Sequence, residues 1–168
     1  PSVEALDLLD GIIALLPETS ALPHLPDALA RLATTIQRCG GVHKITYGEA
    51  SQLPDPVRHI FAAAPQVSDF RHVPPAPVAP GPGIVRGEHH DALEMDDELL
   101  ILQGSTCLRL QGIGSIVWRF VDRPRSFAEV LAAVLDIAGP HEQAEELVRD
   151  AVAELSGQGL LIDRDQPV

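Results

Sequence analysis

The spacing of hydrophobic residues changes within Thr106–Val121, "TCLRLQGIGSIVWRFV". Leu108 and Leu110 alternate with polar neighbours, as in a strand with one buried face. From there Ile113, Ile116, Val117, Phe120 and Val121 fall at helical spacing. Gly112 and Gly114 stand where the chain must turn at little steric cost. Upstream, Ala92–Met95 and Glu98–Leu102 predict two strands joined at Asp96-Asp97, and Gln103-Gly104-Ser105 predicts the turn into a third strand, Thr106–Leu110. Downstream, Ser126 with Glu129 three residues on makes a capping box for a second helix, which buries Phe127, Val130, Leu131, Val134 and Leu135 and stops at Gly139-Pro140. A third helix, about His141 to Ser156, is expected to bury Ala144, Leu147, Val148, Ala151, Val152 and Leu155. Gly157 and Gly159 close it, and Leu160-Leu161-Ile162 returns to the core as a short strand. Trp118, flanked by Val117 and Val121, is expected in that core.

The first third of the chain reads differently. Ser2 can cap a helix running to about Leu16, where Pro17 stops it. Val3, Leu6, Leu9, Ile13 and Leu16, with Leu8, Ile12 and Leu15 beside them, give it a wide apolar stripe. So broad a stripe predicts burial on more than one side or a partner helix, and a homodimer is among the candidate assemblies. The loop Pro17–Pro26 leads to a second helix, about Asp27 to Arg38, ended by Gly40-Gly41. "VHKITYG" predicts a short strand. Asp55-Pro56 starts a further helix with Val57, Ile60, Phe61 and Ala64 facing inward.

Between the two regions, "VPPAPVAPGPG" holds prolines too densely for helix or sheet and favours extended polyproline conformation. The expected organisation is therefore a mainly helical accessory module over residues 1–64, a Pro-rich linker over 65–83, and a second domain over 84–168. The alternative is a connection lying ordered across the second module. The overall class is α+β: a winged-helix-like domain of three antiparallel strands and three helices, preceded by the small module.

The order of elements in the second region, and several residues, resemble the PqqD-like family, the precursor-peptide recognition elements of ribosomally made peptide natural products. The resemblance rests on Leu110-Gln111, Gly114, Trp118, "RSFAEVLAAVL" from Arg125 to Leu135 and "ELSGQGLLI" from Glu154 to Ile162, within about residues 84–164. Gln111 stands where the family usually carries Asn. The resemblance implies a non-enzymatic binding module that holds the leader segment of a precursor peptide and presents it to the modifying enzyme of its pathway. The edge of the third strand offers backbone donors and acceptors for strand addition. The residues expected to carry binding are Thr106, Cys107, Leu108, Arg109 and Leu110 for backbone pairing, with Leu147, Val148 and Ala151 as pockets on the third helix. Alternative readings are a winged-helix transcription regulator and a non-catalytic adaptor subunit of a biosynthetic enzyme.

Charge separates these readings. The 168 residues carry 24 acidic and 12 basic side chains, a formal net charge of −12. Nucleic-acid binding draws on Lys and Arg displacing counterions, so nucleic acid is not an expected partner. Glu142, Glu145, Glu146, Asp150 and Glu154 crowd the third helix around a single Arg149, where a DNA-reading helix needs basic or amide side chains. These acids are either a solvated face or a rim for a peptide with basic side chains.

No apolar run reaches the roughly 18–20 residues of a membrane span. Asp7 and Asp10 interrupt the first apolar stretch with no basic region before it, so no signal peptide is expected. Two cysteines, Cys39 and Cys107, fit free thiols in the cytoplasm. His89-His90 reads as a solvated linker end, since adjacent residues of an extended chain point to opposite sides and poorly share one ion. Cys39 with His43 is half a zinc site without a second half. No phosphate loop, dinucleotide fingerprint or nucleophile–base arrangement is present, and no metal or cofactor is expected.

Overall fold

A computed structural model of the chain describes residues 1–19, 21, 24–62, 64 and 67–165. Ser20, Leu22 and Pro23 in the first loop, Ala63, and Pro65-Gln66 at the start of the expected linker lie outside the described residues, as do the last three. The chain divides into two units, Pro1–His72 and Val73–Val168.

The first unit contains β1 (Ser2–Leu6), α1 (Leu8–Leu15), α2 (Ala28–Arg38), β2 (Val42–Thr46) and α3 (Pro54–Ala62). β1 and β2 pair antiparallel with Val3 opposite Ile45, so the unit is not purely helical. The expected single helix from Ser2 is corrected here. Asp7 takes an extended conformation and its carboxylate accepts from the Asp10 N–H at 2.7 Å, so the helix starts there and the preceding residues are free to pair as a strand. The core of this unit is Leu8, Leu9, Ile12, Leu29, Ala33 and Ile36. Gly11 lets α1 meet β2 closely, because a Cβ there would lie 2.9 Å from Val42 Cγ2. α3 corrects another expectation: none of its residues is buried, and Phe61 is 84% exposed. Periodicity shows which face of a helix is apolar, not whether another element covers it.

The second unit is built on an antiparallel sheet. β5 (Asp91–Met95), β6 (Glu98–Gln103) and β7 (Thr106–Leu110) form a meander with the expected turns. A further short strand, β3 (Arg71–Val73), spans the boundary between the two units. A strand of three residues leaves almost no periodic signal. α4 (Gly112–Phe120), α5 (Phe127–Ala138) and α6 (Ala144–Gly157) follow, and β8 (Leu161–Asp163) pairs antiparallel with β4 (Ile84–Arg86).

Leu99, Ile101 and Leu110 from the sheet meet Val117, Trp118, Val130, Val134, Val148, Val152 and Leu155 from the helices in one core. Leu93, Leu100 and Leu102, on the opposite face of the strands, are also fully buried, which accounts for the unbroken apolar run "LLIL" in β6. Trp118 is core, 1% exposed. The Arg86 guanidinium stacks 3.9 Å from its ring centroid and donates from Nε to the Trp118 carbonyl at 2.7 Å. The capping box at α5 forms as the sequence predicts: Ser126 N–H donates to Glu129 Oε2 at 2.8 Å, and Glu129 N–H to Ser126 Oγ at 3.3 Å. That pairing, first through the Ser126 N–H, lowers the Glu129 pKa.

The end of the Pro-rich stretch holds to the second unit. Arg164 Nη1 donates to the carbonyls of Ala79 (2.9 Å) and Gly81 (2.7 Å), and the Gly83 N–H donates to Asp165 Oδ1 at 3.1 Å. Gly83 has φ +100°, and a Cβ there would lie 2.5 Å from the Arg125 carbonyl oxygen, so only glycine fits. The His89-His90 pair is not a solvated end. His89 is buried edge-on against Trp118, ring centroids 5.3 Å apart, and His90 Nδ1 accepts from the Gly104 N–H at 2.9 Å. Ile162 is 37% exposed, so Leu160 and Leu161, and not Ile162, return to the core.

Candidate functional site

β7 is the last strand of its sheet, and α6 runs beside it. Between them lies a groove of about 240 Å³, lined by Leu108, Arg109, Leu110 and Gln111 from the strand end, Gly114 from α4, and Ala151, Glu154, Leu155 and Gln158 from the α6 side. Leu108 and Leu110 turn their side chains toward the helices because residues two apart on a strand share a face. Ala151, Glu154, Leu155 and Gln158 follow the i, i+3, i+4, i+7 spacing of one helix face.

The backbone of β7 has a defined polarity. The two-residue turn at Gly104-Ser105 makes Gln103 and Thr106 the closing hydrogen-bonded pair. Pairing then alternates, so Leu108 bonds to Ile101 and Leu110 to Leu99, while the N–H and C=O groups of Cys107 and Arg109 point away from β6. The outer edge therefore presents Cys107's donor and acceptor alongside a partly apolar groove. That arrangement can take an extended peptide as an added strand, with every second side chain directed at α6.

The expected binding residues separate on inspection. Thr106 is exposed at the turn. Cys107 and Arg109 are half-buried; the Cys107 side chain is on the face away from the groove, whereas Arg109 is among the residues that line it. Arg109 Nε donates to Glu98 Oε2 at 2.7 Å, which neutralises the strand's one charge. Ala151 lines the groove. Leu147, expected in the core, is 40% exposed one helical turn before Ala151 and extends the same face. Val148 is corrected: its side chain is fully buried in the core cluster, so it supports the groove from beneath and cannot be a pocket wall. It lies about 100° round the helix from Leu147, far enough to face inward.

Sequence reasoning missed Glu154, Leu155, Gln158 and Gly114 as lining residues. The signal for the first three was available, since each is three, four or seven residues beyond Ala151. Gln111 occupies the N-cap position of α4 but its side chain does not cap the helix. Its Nε2 instead donates to Glu98 Oε1, next to the Arg109–Glu98 pair, and so ties the groove's end to β6.

No covalent chemistry is evident at this edge. Burial pushes the Cys107 thiol up to about 11, so it stays protonated and a poor nucleophile at neutral pH. Among the described residues, no group of three or more His, Cys, Asp or Glu side chains could hold a metal ion. No helix is long and apolar enough to cross a membrane among them. A larger hollow of about 610 Å³ lies on the other side of α6, lined in part by Phe127, Val152, Ala153 and Leu161, with Arg149 stacked over Phe127. Its strand residues come from the three-residue β8, which offers a shorter backbone edge than β7.

Comparison with known proteins agrees with the resemblance read from the sequence. The family model for coenzyme PQQ synthesis protein D (PqqD) matches residues 98–161, from the first residue of β6 to the first of β8. Neither the curated proteins nor the solved structures give a significant match. The match spans β7, α6 and the groove between them, and residues 98–161 of the second unit are PqqD-like.

Proposed function

We propose that the second unit binds the leader segment of a ribosomally synthesised precursor peptide at β7 and presents it to the modifying enzyme of the same pathway. The family match supports a place in peptide-modification biosynthesis and a non-catalytic, accessory role. The observation that carries the finer reading is the outward-facing backbone of β7 beside the groove to α6. The leader would add as a fourth strand to the β5-β6-β7 meander, its alternate side chains resting on Leu108, Ala151 and Leu155. The order of three strands, three helices and a returning strand supports a winged-helix-like fold for this unit, with the first unit as an accessory module and the Pro-rich residues 65–83 as the linker.

A transcription regulator is the less favoured reading. α6, which would have to enter a groove of DNA, carries Glu145, Glu146, Asp150 and Glu154, and its one arginine is paired with Glu145 at 2.7 Å. The test is a calorimetric titration of the full chain with the leader segment of a precursor peptide encoded beside its gene. Ala151→Phe places a ring in the groove from a half-buried position and should weaken binding at least tenfold, about 1.4 kcal/mol or more. Unchanged affinity in a folded Ala151→Phe chain would move the site off this groove.

A further inference from the structure

The groove has a sign as well as a shape. On α6, Asp150 and Glu154 are exposed and flank the line of Leu147, Ala151 and Gln158 on its solvent side. Glu154 accepts only a weak contact from Gln158 Nε2 at 3.4 Å, and no cation pairs with Asp150 or Glu154 among the described residues. Arg109 also lines the groove, but Glu98 neutralises it at 2.5 Å, and Arg149 is paired with Glu145 on the other side of the helix. The groove is thus apolar at its floor and negative along its outer rim.

We infer that the peptide taken at β7 carries an apolar anchor with a lysine or arginine two positions away on the same face, the basic side chain meeting Glu154 and Asp150. This rests on the proposed strand addition at β7. The spacing follows from both elements. Residues two apart on a strand are about 6.7 Å apart and share a face. Ala151 and Glu154 are separated by a helical rise of about 4.5 Å. A long basic side chain spans the difference while its stem lies over the apolar floor. A glutamate or aspartate at the same position would meet two like charges and be rejected.

The test is selection of a random 12-residue peptide library, displayed on phage, against the full chain. Enriched peptides should pair an apolar residue with Lys or Arg two positions away and should be poor in acidic residues. Asp150→Asn with Glu154→Gln, both at exposed sites, should weaken those peptides about three- to tenfold, the scale of exposed ion pairs, and should remove the basic preference. Cys107→Pro should weaken their binding at least about tenfold. Peptides that need the Cys107 N–H but show no basic preference overturn the charge inference and leave strand addition standing. Peptides that survive Cys107→Pro, or a library that enriches nothing, overturn strand addition at β7 and this inference with it.

Discussion

Proline substitution along β7 separates edge pairing from sheet integrity residue by residue. At Cys107 the N–H points away from β6, so proline there removes no ladder bond. Its cost to stability should stay within about 1 kcal/mol, in the range of edge positions that accept proline. At Leu108 the N–H bonds to Ile101, so proline should cost about 3 kcal/mol or more and disturb the meander. Binding should respond in the opposite order of economy. Cys107→Pro deletes one backbone bond to the client, worth about 0.5–1.5 kcal/mol, and its ring also holds the added strand off the edge. Together these should take affinity down by at least about tenfold. Cys107→Ala should bind as the parent does, because the thiol lies on the face away from the groove. Denaturant unfolding, followed through the single buried Trp118, measures stability. Anisotropy of a labelled leader peptide measures affinity. Two results would refute the reasoning: a folded Cys107→Pro chain with unchanged affinity, or a Cys107→Pro chain as unstable as Leu108→Pro.

Val148→Glu should abolish cooperative thermal unfolding and not merely weaken binding, since it drives a carboxylate into a fully buried position; a folded variant would place Val148 back on the groove surface. Trp118→Ala should cost about 3–5 kcal/mol by circular-dichroism melting, and a variant with its melting temperature intact would refute the core assignment. Burial against Trp118 lowers the pKa of His89, with Arg86 acting in the same direction and the Gly87 carbonyl and Asp91 opposing. The unfolded chain therefore takes up this proton first. Stability from His89 is fully present above about pH 6.5 and is lost as pH falls toward the lower folded value. Denaturant midpoints at pH 7.5 and 5.5 should differ less in His89→Phe than in the parent.

The second unit was legible from its sequence because local signals there agree with tertiary ones. Leu108 and Leu110 show the buried face of β7, Ser126 and Glu129 mark the start of α5, and the apolar run of β6 marks a strand buried on both faces. Elsewhere local and tertiary signals diverge. Ser2 and Asp7 both offer caps, and pairing of β1 with β2, from residues about forty apart, decides for Asp7. Phe61 sits at a helical apolar position yet lies open. At the groove, the strand side was readable from alternation. On α6 the distinction between Leu147, Val148 and Ala151 depends on where β7 crosses the helix, which spacing alone does not fix. His89 packs against Trp118, about thirty residues further along the chain, and no local pattern announces that contact.

Strand addition at β7 is tested most directly by amide hydrogen exchange at Cys107, followed by NMR with and without saturating leader peptide. The N–H of Leu108, already bonded to Ile101, serves as the internal reference. The account predicts that Cys107 exchanges fast in the free chain and becomes protected by at least tenfold in the complex, while Leu108 changes little. A saturated complex in which Cys107 exchanges as fast as in the free chain would contradict it.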